Sequence, residues 1–73
     1  MFKYSDLYRK NTPAQYLNER FIKWVDKVEY KFNKKYNMYL LDIPDQLYMH
    51  YFENGLSPND MFNIIEEEVI DEY

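Results

Sequence analysis

The chain reads as an all-α protein, a small three-helix domain with a short helical N-terminal arm. Three observations predict it. Apolar residues recur at three- and four-residue steps, the spacing of one helix face and not the alternation of a strand. Three helix-start signals (Thr12-Pro13, Asp42-Ile43-Pro44 and Ser57-Pro58) each precede such a cluster. The lone glycine, Gly55, falls just before the last of these signals, where a helix has to end.

Residues 2–10 are expected to form the arm, with Phe2, Tyr4, Leu7 and Tyr8 available to lie over a core and Ser5 as its candidate cap. The first main helix is expected over 13–35, about 35 Å long. Thr12 caps it, Pro13 opens it and Gln15 completes a capping box. Leu17, Phe21, Trp24, Val25, Val28, Phe32 and Tyr36 then share one apolar stripe. Asn37 suits the left-handed residue that ends such a helix, and Met38 to Leu41 make an apolar connector.

The second helix is expected over 43–54. Asp42 is its cap, Pro44 sits harmlessly in its first turn, and Asp45 faces the unpaired amides at the positive end of the dipole. Leu47, Tyr48, Tyr51 and Phe52 point to the core and Met49 falls off that face. After Gly55, Ser57 caps a third helix over 58–72, Pro58 opens it, Asp60 sits at the third position and Leu56 can staple onto Met61. Met61, Phe62, Ile65 and Val69 face inward, and Ile70 points away among Glu66, Glu67 and Asp71.

Seventy-three residues make a single domain, 1–73. A chain of this size buries only about 60% of its unfolded surface. With no cysteine, neither disulfides nor thiolate metal sites can assist, and nine Tyr, five Phe and one Trp supply the bulk instead. A homodimer would add further burial. No apolar run approaches the roughly 18 residues that span a bilayer, so no membrane contact is expected. The stretch Met1 to Asp6 lacks the apolar segment of a signal peptide, which points to a cytoplasmic setting.

The net charge of −4 conceals a division. Residues 1–36 hold all nine Lys and Arg against four acids, whereas residues 37–73 hold nine acids and no Lys or Arg. Such asymmetry suggests a charged partner or an internal match between the halves. On the first helix Arg20, Lys23, Lys27, Lys31 and Lys34 follow at three- or four-residue steps, with Tyr16 and Tyr30 alongside. That flank suits three roles: a solvated helix face, a docking surface for an acidic protein, or a phosphate-tracking nucleic-acid surface.

Residues for catalysis are sparse. His50 is the only histidine, and one imidazole makes neither a two-histidine metal site nor a relay. Ser5 and Ser57 read as caps, a single glycine cannot build a phosphate-cradling loop, and Glu66-Glu67-Glu68 lacks the spacing of a calcium loop. No enzymatic activity, cofactor or metal is expected.

A tryptophan-bearing helix is followed by Asp42-Ile43-Pro44-Asp45, Tyr48, Phe52-Glu53-Asn54-Gly55 and Ser57-Pro58. This order resembles a family of small uncharacterised proteins encoded by tailed bacteriophages, in which a helix leads into an Asp-Leu-Pro-Asp turn, an aromatic helix, a glycine and a Ser-Pro start. The likeness covers residues 24–65 and departs from the pattern at Asn37-Met38, where the family has a glycine. It implies an accessory protein acting in the host cytoplasm by binding and redirecting a larger protein, and it carries over no catalytic residue.

The expected function is therefore a non-enzymatic interaction module that binds a larger host or phage protein. Its partner contacts are expected at Met49, Glu66, Glu67, Ile70 and Asp71, or on the basic flank Tyr16, Arg20, Lys23, Lys27, Tyr30, Lys31 and Lys34. The alternative is a nucleic-acid-related protein, either an acidic DNA mimic or a weak binder through the basic flank. Opposite flanks of two copies could also meet in a salt-sensitive homodimer.

Overall fold

The computed structural model describes residues 3–71, which are largely helical and contain no strand. Four helices follow in order: α1 (Tyr4–Asn11), α2 (Glu19–Tyr36), α3 (Tyr48–Glu53) and α4 (Pro58–Ile65). A π-helical turn, Glu66–Ile70, prolongs α4, and 3₁₀ turns occupy Ala14–Tyr16 and Leu40–Asp42. The all-α class is as expected. Phe2 of the arm and Glu72 at the end of the third predicted helix lie outside the described residues.

Two helix starts differ from the sequence reading. The long helix starts at Glu19 and not at Pro13. Thr12 instead closes α1 in an extended conformation, and Pro13 leads into the first 3₁₀ turn. The actual cap is Asn18, whose Oδ1 accepts the Phe21 N–H at 3.0 Å. The Asn18 N–H in turn donates to the Tyr8 hydroxyl at 3.0 Å, which fastens α1 to the start of α2. Leu17 therefore leaves the apolar stripe of α2, and Tyr16 leaves its basic flank. Ser5 is not a cap either: it is buried and donates its hydroxyl to Asp26 Oδ1 at 2.6 Å, while Lys3 precedes the helix and its N–H donates to Asp6.

The second boundary is at Pro44. A proline disfavours helical backbone at the residue before it, and Ile43 is extended (φ −113°, ψ 163°) and buried in the core. Asp42 therefore does not cap a helix. It ends a 3₁₀ turn, and its Oδ2 accepts the Tyr39 N–H at 2.9 Å. The helix expected over 43–54 shrinks to α3, six residues long. Leu47, expected inside, is 69% exposed, and Met49, expected outside, packs against the core.

The remaining signals act as read. Asn37 takes the left-handed conformation (φ 55°, ψ 38°). Gly55 does so at φ +83°, with Gly55 N–H donating to Phe52 O and Leu56 N–H to Tyr51 O at 3.1 and 3.2 Å. That bonding pattern is a Schellman motif. Ser57 and Asp60 form the reciprocal capping box.

Phe21, Trp24, Val25, Val28 and Phe32 of α2 form the spine of the core, closed by Leu40, Ile43, Tyr48, Met61, Ile65 and Val69. Trp24 Nε1–H donates to Leu56 O at 2.7 Å near the start of α2, and Tyr36 meets Glu66 near its end. α4 thus runs parallel to α2, and the α3 segment makes the return. One side chain on the α2 spine is a carboxylate. Glu29 is 3% exposed and accepts the Tyr4 N–H at 2.8 Å and the Leu40 N–H at 2.6 Å. It joins the first turn of α1 to the connector after α2, so both segments dock on one buried anion.

Candidate functional site

Because α1 and the connector cover one side of α2 and α4 covers another, a third side stays open. At 100° per residue Lys27, Tyr30, Lys31 and Lys34 share that side. With Lys35, Asp26 and, from α4, Asn59 and Phe62, they line a groove of about 760 Å³. Tyr30, 64% exposed, and half-buried Phe62 give it aromatic surface, and the lysines stand around them. Lys34 Nζ lies 5.8 Å from the Tyr30 ring centre, and Lys35 Nζ lies 5.5 and 5.7 Å from those of Tyr36 and Phe62. These are cation–π distances, which hold the ammonium groups near the aromatic surface. A smaller hollow of about 280 Å³ continues toward the start of α2, between Arg20, Lys23, Trp24, Lys27, Phe52 and Pro58.

The far end of the groove is fixed by a clamp. Glu66 Oε2 accepts both Lys35 Nζ and the Tyr36 hydroxyl at 2.5 Å each. The bond from Lys35, and then that from Tyr36, hold the Glu66 carboxyl below the usual carboxylate range. The bonds to Glu66 likewise raise Lys35 and Tyr36 above their ordinary values. Lys35 is thus partly neutralised within the chain, whereas no ion pair is formed by Lys27, Lys31 or Lys34 among the described residues.

Of the predicted basic flank, the structure brings Lys27, Tyr30, Lys31 and Lys34 into the main groove and Arg20 and Lys23 into the smaller hollow. Tyr16 is not brought in, since it belongs to the 3₁₀ turn before α2. The predicted acidic contact set does not form one free patch. Met49 and Ile70 pack partly on the core, Glu66 is held by the clamp, and Glu67 and Asp71 are exposed. The exposed aliphatic residues are instead Leu41 and Leu47. Sequence reasoning missed Asp26, Lys35, Asn59 and Phe62 in the groove. Phe62 lay on the inward stripe of its helix, and no periodicity reveals that it is only partly buried and also lines the groove.

Other groups with chemical capacity are committed to the fold. His50 is exposed, with Nε2 3.1 Å from Asn54 Nδ2. Tyr48, 1% exposed, has no hydrogen-bond partner for its hydroxyl among the described residues, and burial drives its phenol far above the ordinary value, with Tyr4, Asp45 and Glu29 adding to the effect. Among the described residues no group of three or more His, Cys, Asp or Glu side chains is placed to hold a metal ion, and no helix is long and apolar enough to cross a membrane. Compared with known protein families, curated proteins and solved structures, the chain matches none. What the groove can do follows from its chemistry: it presents cations around an aromatic surface, which suits a ligand that is both anionic and apolar.

Proposed function

We propose that this protein is a non-enzymatic interaction module that binds a larger protein through the groove between α2 and α4 and thereby alters its activity. One observation carries the reading: Lys27, Lys31 and Lys34, which form no ion pair among the described residues, stand around the exposed Tyr30 and half-buried Phe62. An aromatic surface rimmed by cations discriminates for acidic protein segments that also bring apolar side chains. The resemblance to small phage proteins supports a setting in which such binding redirects a host or phage protein in the host cytoplasm. The test is capture from a bacterial extract with the wild-type chain and with Lys27→Glu/Lys31→Glu/Lys34→Glu, identified by mass spectrometry. A partner held by the wild type and lost by the variant, with unchanged helical circular dichroism, is the expected result. Equal capture by both chains would refute the groove as the docking site.

A nucleic-acid reading is favoured by a separate feature, the continuous line of five cations from Arg20 to Lys34 with Tyr30 among them. Direct binding would fall steeply with salt through counterion release. A gel shift that appears at low ionic strength and vanishes in the triple variant supports it, and no shift at low ionic strength removes it.

A further inference from the structure

The fold leaves two surfaces of opposite chemistry on one chain. The first is the groove, with Tyr30 and Phe62 inside a rim of Lys27, Lys31 and Lys34. The second is the segment between α2 and α3. There Leu41 and Leu47 are 40% and 69% exposed, and exposed Asp42 and Asp45 lie between them in the chain. The segment itself carries no Lys or Arg. Its position is set by the bond from Leu40 N–H to Glu29. On the α2 wheel Glu29 lies about 100–160° from Tyr30, Lys27, Lys31 and Lys34. The leucine segment and the groove therefore belong to different sides of α2, and a chain cannot fill its own groove.

We propose that a second copy of this chain fills it: Leu41 and Leu47 of one protomer rest on Tyr30 and Phe62 of its partner, and Asp45 faces the lysine rim. The inference rests on reading the groove as a protein-docking site. Two exposed aliphatic side chains meet an exposed aromatic surface, which is the apolar centre of a small interface, and the opposite charges form its rim. Because the two surfaces lie on different sides of α2, the contact is head-to-tail: each copy offers its leucine segment to one neighbour and its groove to another, so association passes beyond a pair into a ring or chain of copies. Charge contributes orientation and on-rate, and the leucines contribute most of the affinity. The contact would also cover the surface offered to a larger partner, so partner binding and self-association compete.

Sedimentation of the purified chain tests this. The wild type is expected to associate into species larger than the monomer with rising concentration, more tightly at low ionic strength than at high. Leu41→Ser/Leu47→Ser is expected to weaken each contact by about tenfold or more per leucine. Both residues are exposed, so the fold should survive, and circular dichroism checks that it does. A charge exchange supplies the decisive arm. Lys27→Glu/Lys31→Glu and Asp45→Lys should each be monomeric alone, since like charges then meet in every contact. Mixed, they should associate, because every contact between unlike copies joins opposite charges. A wild-type monomer at high concentration and low ionic strength overturns the proposal, as does self-association indifferent to the leucine variant or a mixture that stays monomeric. These measurements use the protein alone, so such a failure leaves the capture result with a larger partner standing. Loss of that capture, with self-association retained, would overturn only the reading of the groove as a site for a foreign partner.

Discussion

Replacing Glu29 should be the most damaging single change on the polar side of this fold. Its carboxylate accepts two main-chain N–H groups, from Tyr4 and Leu40, at 2.8 and 2.6 Å, while the residue is 3% exposed. Glu29→Ala removes both acceptors and leaves two amides with little access to water. Each hydrogen bond to a charged group is worth about 1.5–3 kcal/mol, and each stranded amide costs about 1–3 kcal/mol. Part of the loss is offset, because the carboxylate no longer has to be desolvated. A net loss of about 3–5 kcal/mol follows. A domain of this length has a total stability of about 4–11 kcal/mol, so Glu29→Ala should be near the limit of folding. Glu29→Gln keeps one carbonyl acceptor but turns its NH₂ toward the other amide, and should lose about 1.5–3 kcal/mol. Urea unfolding followed by circular dichroism gives the magnitudes. Amide hydrogen exchange gives the location, since protection at Tyr4 and Leu40 should fall before that of the α2 centre. The reasoning is refuted if Glu29→Gln is as stable as the wild type, or if exchange at these two amides is unchanged.

Three further outcomes are expected. Tyr48→Phe removes a buried hydroxyl that has no partner among the described residues, so stability should hold or rise by about 1 kcal/mol; a clear drop in urea midpoint would contradict this. Gly55→Ala meets no atom within 4 Å, so its cost is purely that of a left-handed backbone at φ +83°, about 1–2 kcal/mol by thermal unfolding; a neutral result would mean the motif relaxes. The Glu66 clamp sets a pH window. Its carboxyl is held low, so its contribution is complete above the unfolded value of about 4.3 and is lost as pH falls through the folded value. Lys35 and Tyr36 are raised, so theirs is complete below about 10 and is lost as pH rises through their folded values. Carboxyl NMR titration of Glu66 should move up toward the ordinary range in Tyr36→Phe and further in Lys35→Met, and an unmoved titration in both would break the assignment.

Helix content, the two left-handed residues Asn37 and Gly55, the Ser57 capping box and the α2 stripe were all legible in the sequence, because each depends on residues within one turn of one another. The starts of α2 and α3 were not. Thr12-Pro13-Ala14-Gln15 and Asp42-Ile43-Pro44-Asp45 are good local start signals, yet both lost to contacts from elsewhere. Tyr8 draws the Asn18 backbone to α1, and the core takes Ile43 in an extended conformation. Local capping is worth about 0.5–2 kcal/mol, which is comparable to burying one aliphatic side chain at about 1.5–3 kcal/mol. Where the two conflict, sequence spacing alone does not decide.

The candidate site divides in the same way. The line of lysines was determined by sequence, since residues three and four apart on one helix must share a face whatever packs against it. That this line edges a groove depended on where α4 lies, and that was decided by bonds between distant positions: Trp24 to Leu56, and Lys35 and Tyr36 to Glu66. The role of Glu29 likewise existed only in three dimensions. In the sequence it is one acid of four in a basic half, and only the return of α1 and of the connector onto the same side of α2 makes its carboxylate the shared acceptor that holds them both.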